Sequence, residues 1–266
     1  METNSIQNNN PIDRAVVQYK KLKQMYNIFQ NQQNLSEKKE IIWKIKDWDI
    51  IFQTSKSRQS QAIQNATQSN ISHVWIILNH RWSWQVLEAV QPVKYTPLQS
   101  RIQRWSGSDF TIKRVLHQVS WISQFKDQAS KYLWKPYDGM FWLWNDAIYC
   151  SELVYKLYES VWIKLWKMQK IWDLDFNNKA TQELFFYRLW IKWSNEDLKD
   201  LQILLKKYKT PNNVLRSPDA ETFKKNLSTK ALSVLDQSLI TPIALFDDDQ
   251  LQTIYSSYSS IEKLQH

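Results

Sequence analysis

Ser72-His73-Val74-Trp75-Ile76-Ile77-Leu78 is followed, across Asn79-His80-Arg81-Trp82-Ser83, by Gln85-Val86-Leu87-Glu88-Ala89-Val90. Both runs are short and apolar, and polar residues bound them, so they read as two strands joined by a tight turn. Antiparallel partners keep a constant index sum. A turn centred between His80 and Arg81 gives 80 + 81 = 161, and His73 with Glu88 also gives 73 + 88 = 161. On that register the two side chains sit directly opposite on one face, with Cβ atoms about 4.5–5.5 Å apart. A carboxylate at that distance can accept a hydrogen bond from an imidazole and fix its tautomer. A slip of one residue would send them to opposite faces.

The second decisive stretch is Ile148-Tyr149-Cys150-Ser151-Glu152-Leu153-Val154. Leu153, Val154, Leu157, Tyr158 and Val161 form one apolar face, which predicts a helix over Ser151 to Val161 with Cys150 just before it. A thiol at a helix N-terminus feels the positive end of the macrodipole, which favours the reactive thiolate. Backbone N–H groups there can also hold an oxyanion. The candidate catalytic set is therefore Cys150 as nucleophile, His73 as base and Glu88 as the group that orients the base. Each also has a plainer reading: a lone buried thiol, a satisfied strand histidine, a solvent-facing carboxylate. His80 and His117 read as surface residues, and His266 is terminal. A single cysteine excludes an intrachain disulfide and a Cys-rich zinc site. There is no phosphate-cradling Gly-rich loop and no His-Glu-x-x-His helix, so neither a cofactor nor a metal is expected.

The chain has 2 glycines and 15 tryptophans. An average globular chain has ~7% glycine, roughly 19 residues at this length. The tryptophans fall where glycine is expected. Trp134 in ASKYLWKP, Trp162 in YKLYESVWI and Trp190 in FFYRLWI occupy the residue after a helix end, where the backbone turns left-handed. Trp82 lies in the tight turn. A β-carbon in the left-handed region costs roughly 1–2 kcal/mol. We read most of these positions as glycines, Trp48, Trp75, Trp134 and Trp162 among them, because the codon UGA means tryptophan in some genetic codes and glycine in others. A truly Trp-rich protein is the alternative. Trp43 and Trp84 suit their apolar or strand-like surroundings.

Residues 1–40 read as a polar tail and an amphipathic helix, with Val16, Tyr19, Leu22, Tyr26 and Phe29 at helical spacing. Residues 41–192 form the core. Strands are expected at 49–52, 72–78, 85–90 and 110–115, and helices at 57–66, from Thr96-Pro97-Leu98 onward, at 122–133 and at 151–161. Residues 193–235 read as a helical insertion, opened by a capping-box variant from Ser194 to Asp197. Residues 236–266 read as a return to the core. The order of elements gives an α+β fold with an antiparallel sheet. Neither a signal peptide nor an 18-residue apolar run is seen, and the expected location is the cytoplasm. The formal charge of +9 favours an anionic polymer or lipid surface over any specific nucleic acid, or else a solvated lysine-rich surface.

At these residues the sequence resembles the YiiX-like permuted papain-fold enzymes, relatives of NlpC-type cell-wall peptidases. The matching stretches are 47–53, 72–77, 86–93, 135–138 (Lys-Pro-Tyr-Asp) and 148–154, with the tail from Ile240-Thr241-Pro242 to Phe246. The family motifs read G-D-I-I-F, S-H-x-G-I, E-A-V and Y-C-S-E-L-V. Trp48 and Trp75 stand where those motifs carry glycine. The resemblance implies a permuted papain-like fold, with a small antiparallel sheet or barrel packed against helices. It also implies His73, Glu88 and Cys150 as a triad.

Three functions compete. The first is an amidase or peptidase acting on a peptide-like substrate through an acyl-enzyme. The second is a lipid acyltransferase or esterase using the same groups. The third is a non-enzymatic module that binds an acidic partner through its charge.

Overall fold

Ile50–Gln53, here β1, is buried at all four residues and has a strand on each side. The computed structural model describes residues 44–258 except 55–56, 104–109, 117–121, 140, 142, 144–145, 166–167, 190–202 and 226–234. The expected N-terminal helix, the helix end at Trp190, the Ser194 capping box, His117 and His266 lie outside the described residues.

Five further strands complete the sheet: β2 (His73–His80), β3 (Ser83–Glu88), β4 (Lys94–Pro97), β5 (Phe110–Val115) and β8 (Leu251–Ser256). Their order is β4-β3-β2-β1-β5-β8, antiparallel throughout. The fold is α+β, and the sheet is open rather than a closed barrel. Two short strands, β6 (Gln169–Lys170) and β7 (Ser238–Leu239), pair separately.

Alternation along the strands sends side chains to two cores. Ile50, Phe52, Val74, Ile76 and Leu78 face one side. They pack there with Leu153, Val154, Leu157 and Tyr158 of α4 (Cys150–Glu159) and with Phe125 and Ala129 of α3 (Ile122–Tyr132). Ile51, Trp75, Ile77, Val86 and Ile112 face the other side, under Leu98 and Ile102 of α2 (Leu98–Gln103). A satellite cluster gathers Phe176, Leu204, Val214 and Phe223 beside the sheet. It draws on α6 (Pro211–Leu215) and α7 (Ala220–Lys225). The helix expected at 57–66 is α1 (Arg58–Thr67), capped by Ser57 accepting from the Ser60 N–H. α5 (Lys179–Leu189) packs beside it, where Thr181 donates to the Ala62 carbonyl.

Two expectations are corrected. The helix expected from Thr96-Pro97-Leu98 is α2, but it starts at Leu98: Thr96 and Pro97 belong to β4, with Thr96 paired to Val86 and its hydroxyl donating to Glu88. The hairpin register is shifted. Ile76 pairs with Leu87 and His80 with Ser83, an index sum of 163, so the turn is Arg81-Trp82. His80 is the last residue of β2 and is half-buried, stacked on Tyr95 at 4.3 Å between ring centroids.

The turn explains the shift. Arg81 and Trp82 have φ of 50° and 64°, the two-residue turn with both φ positive that usually carries Asn-Gly. Four of the seven described tryptophans have positive φ: Trp48 (72°), Trp82 (64°), Trp134 (70°) and Trp162 (65°). Only a few per cent of non-glycine residues adopt that region. At Trp162 both bonds of the Schellman helix end are made, from the Trp162 N–H to Glu159 O and from the Ile163 N–H to Tyr158 O.

Candidate active site

Cys150 is the first residue of α4, one position earlier than the sequence pattern suggests. Two distant segments fix this helix start. Ile148 donates to the Pro136 carbonyl and Asp138 donates to the Ile148 carbonyl, so Lys135-Pro136-Tyr137-Asp138 runs beside the approach to Cys150. From the tail, the Ile240 N–H donates to the Tyr149 hydroxyl at 3.1 Å, and the Ser151 hydroxyl donates to the Ile240 carbonyl at 2.7 Å. Thr241 then caps α8 (Pro242–Phe246) through the Ala244 N–H. Cys150 is thus clamped on both flanks by residues about 90 positions away in sequence.

The thiol is buried, at 2% exposure. Burial pushes it up from its ordinary value, while the Val74 and Ser151 backbone groups beside it pull the other way. The sequence pattern predicts a thiol pulled down at the helix start; burial instead raises it. Val74 directly follows His73, so the structure brings Cys150 to the start of β2.

His73 pairs with Gln53 across β1. Its ring stacks on Trp75 at 5.7 Å between centroids and 5° between planes. Its side chain leaves on the Trp75 face, whereas Val74 and Cys150 join the opposite core, so Cys150 lies against the backbone next to His73 and the imidazole stacks on the other side of the strand. Burial, and next the charge of Arg101, push His73 down to about 3. The imidazole is therefore neutral, the form that can accept a proton.

Glu88 is fully buried and is not opposite His73. With an index sum of 163 it falls opposite Trp75, one step past the Ile76–Leu87 pair. The discrepancy is two residues, so Glu88 keeps the same face as His73 on a diagonal. Its carboxylate accepts from Thr96 and forms a 2.6 Å ion pair with buried Arg101. Arg101 in turn lies over the Trp75 ring at 4.5 Å.

Sequence reasoning missed three neighbours: Gln53, Thr96 and Arg101. Gln53 ends an apolar strand and is fully buried, a signal that was available. Thr96 was hidden by the helical reading of 96–98, since it belongs to β4; Arg101 lies in the helix expected there, and only the fold brings it to Glu88.

An antiparallel sheet carrying a histidine at a strand start, with a cysteine at the first turn of the helix packed on it and lying after it in the chain, defines a circularly permuted papain-like fold. The chain matches, over residues 44–255, the family described as permuted papain-like amidase enzyme, YaeF/YiiX, C92 family, and it belongs to that family. It is 38% identical over 143 residues to the uncharacterized protein YiiX of Escherichia coli (strain K12), covering 53% of this chain and 71% of that protein. The crystal structure of the metalloprotein yiiX from Escherichia coli O157:H7 is similar with a TM-score of 0.61 and 29% identity, covering 81% of this chain and 99% of that one. Among the described residues, no helix is long and apolar enough to cross a membrane.

Proposed function

We propose that this chain is a cysteine amidase that cleaves a peptide-like amide through an acyl-enzyme on Cys150. The observation that carries the proposal is the position of Cys150, at the first turn of α4 with its thiol against the Val74 backbone beside His73. Membership of an amidase family supports the same reaction class.

The route is general-base catalysis of thiol attack. His73 takes the thiol proton as the sulfur adds to the carbonyl carbon. The carbonyl electron pair moves onto oxygen, within reach of N–H groups at the start of α4. The C–N bond then breaks and the amine leaves with the proton from His73. Water, deprotonated by His73, adds to the thioester, and the acid leaves as Cys150 regains its proton. Glu88, on the same face as His73 and held by Thr96 and Arg101, is the candidate acid that would orient the imidazole and stabilise its charged form.

The E. coli protein of similar structure is described as a metalloprotein. Among the described residues of this chain no group of three or more His, Cys, Asp and Glu converges at metal-binding distance. No step of this route passes through a metal.

A panel of amide and ester substrates tests the proposal. Turnover of peptide-like amides should fall by about 10³-fold or more in Cys150→Ala. Turnover of ester lipids alone would assign the chain to lipid chemistry. Unchanged turnover in Cys150→Ala would refute the nucleophile.

A further inference from the structure

We propose that the groove between α1 and α5 is the subsite that selects the substrate, and that it takes an acidic side chain of a peptide. The inference rests on the amidase reading of Cys150 and names the substrate class for that site.

The groove has a volume of about 790 Å³, within the range of small-ligand clefts, about 300–1,000 Å³. Its two walls are packed together where Thr181 donates to the Ala62 carbonyl. Arg58, Gln59 and Gln61 line it from α1, and Asn178, Lys179 and Glu183 line it from the start of α5. Ala180 and Leu184 supply the apolar part of the lining.

Two hydrogen bonds tie this groove to the candidate site. Gln59 donates from Nε2 to the Tyr137 hydroxyl at 2.7 Å, and Tyr137 bridges to Ile148, two residues before Cys150. Ser60, the next residue, donates to the hydroxyl of Ser72, which directly precedes His73. The start of α1 thus touches both chain segments that carry the proposed nucleophile and base, while its exposed residues Arg58 and Gln61 line the groove. A peptide that runs from Cys150 along Tyr137 meets Gln59 and, with it, the groove.

The charges set the ligand. Lys179 and Glu183 lie 3.6 Å apart on successive turns of α5, so they offset each other. The first turn of α1 holds no acidic residue, and among the described residues no carboxylate pairs with Arg58. Arg58 is therefore the uncompensated charge of the lining. A guanidinium holds a carboxylate through two parallel N–H donors. The amides of Gln61 and Asn178 add neutral donors for the peptide's own carbonyls. An aspartate or glutamate side chain fits this lining, whereas a lysine would face Arg58 and Lys179.

The test uses the full chain and internally quenched peptides that carry glutamate, glutamine or lysine at each position around the cleaved amide. One position should show glutamate preferred over glutamine by about three- to tenfold in kcat/KM, with lysine below both. Arg58→Ala should abolish that preference, and Arg58→Glu should turn it toward lysine. Lys224→Ala removes one positive charge on α7, outside the groove, and should leave the preference intact. The absence of a preference at every position would overturn the proposal. So would a preference that survives Arg58→Ala, or one that Lys224→Ala removes equally. If no peptide is cleaved, the amidase reading fails, and binding of the same peptides, labelled and followed by fluorescence anisotropy, decides the groove. Tighter binding of the glutamate peptides, lost in Arg58→Ala, would support it, and equal binding of all three would overturn it.

Discussion

Trp162 concentrates the conflict between letter and backbone. Its N–H closes a helix end that needs a left-handed residue, and its indole stands 91% in solvent. A β-carbon costs roughly 1–2 kcal/mol there. Part of that is offset in glycine by the greater freedom of its unfolded chain, about 0.4–1 kcal/mol. Trp162→Gly should therefore stabilise the protein by up to about 1 kcal/mol, read as a rise in Tm of roughly 2–4 °C. Trp134→Gly and Trp82→Gly should act in the same direction. Trp172→Gly, in an ordinary conformation beside Phe223, should destabilise. Mass spectrometry of the protein from its native host should find glycine at 75, 134 and 162. Tryptophan at those positions, with no stabilisation from the variants, would end the glycine reading.

At the scale of elements, α4 carries both the proposed nucleophile and a titrating brace. Glu152 accepts from the Tyr149 N–H and pairs with Lys156 at 2.8 Å. Burial pushes its carboxyl up to about 7 from an ordinary 4.5. A raised folded value means that the fold holds the proton more tightly than the unfolded chain does. Its contribution is full below about 4.5 and is lost as the pH rises through about 7. His73, pushed down to about 3, has the opposite sign: its contribution is present above about 6.5 and is lost as the pH falls. Glu152→Gln should flatten the decline in Tm between about pH 5 and pH 8, while His73→Asn should flatten the rise on the acid side. A decline in Glu152→Gln as steep as in the parent would contradict the assignment. These elements were partly legible in the sequence. β5 and α4 follow from their apolar periodicity, and β2 follows from its run of buried residues. β4 was not legible, because Thr-Pro serves equally as a helix start, and only its pairing to β3 decides between the two. The register was read two residues off because Arg81-Trp82 lacks the Asn-Gly signature that usually marks a two-residue turn with both φ positive.

Across the whole molecule, the site is assembled from segments far apart in the chain. His73 comes from a strand start, Cys150 from a helix start, and the tail around Ile240 locks that helix in place. Local patterns pointed to each residue but not to their mutual distances, since sequence spacing holds no record of how a permuted chain closes. The role of Glu88 shows this: its face was legible, but its grip on Thr96 and Arg101 was not. The central claim is that Cys150 carries the acyl group. Its most direct test is rapid quenching of the protein with an activated peptide ester, followed by intact-mass analysis and peptide mapping. The account predicts one acyl adduct on the peptide containing Cys150, absent in Cys150→Ala and slow to hydrolyse in His73→Ala. An adduct at another residue, or turnover with no adduct and no dependence on Cys150, would contradict it.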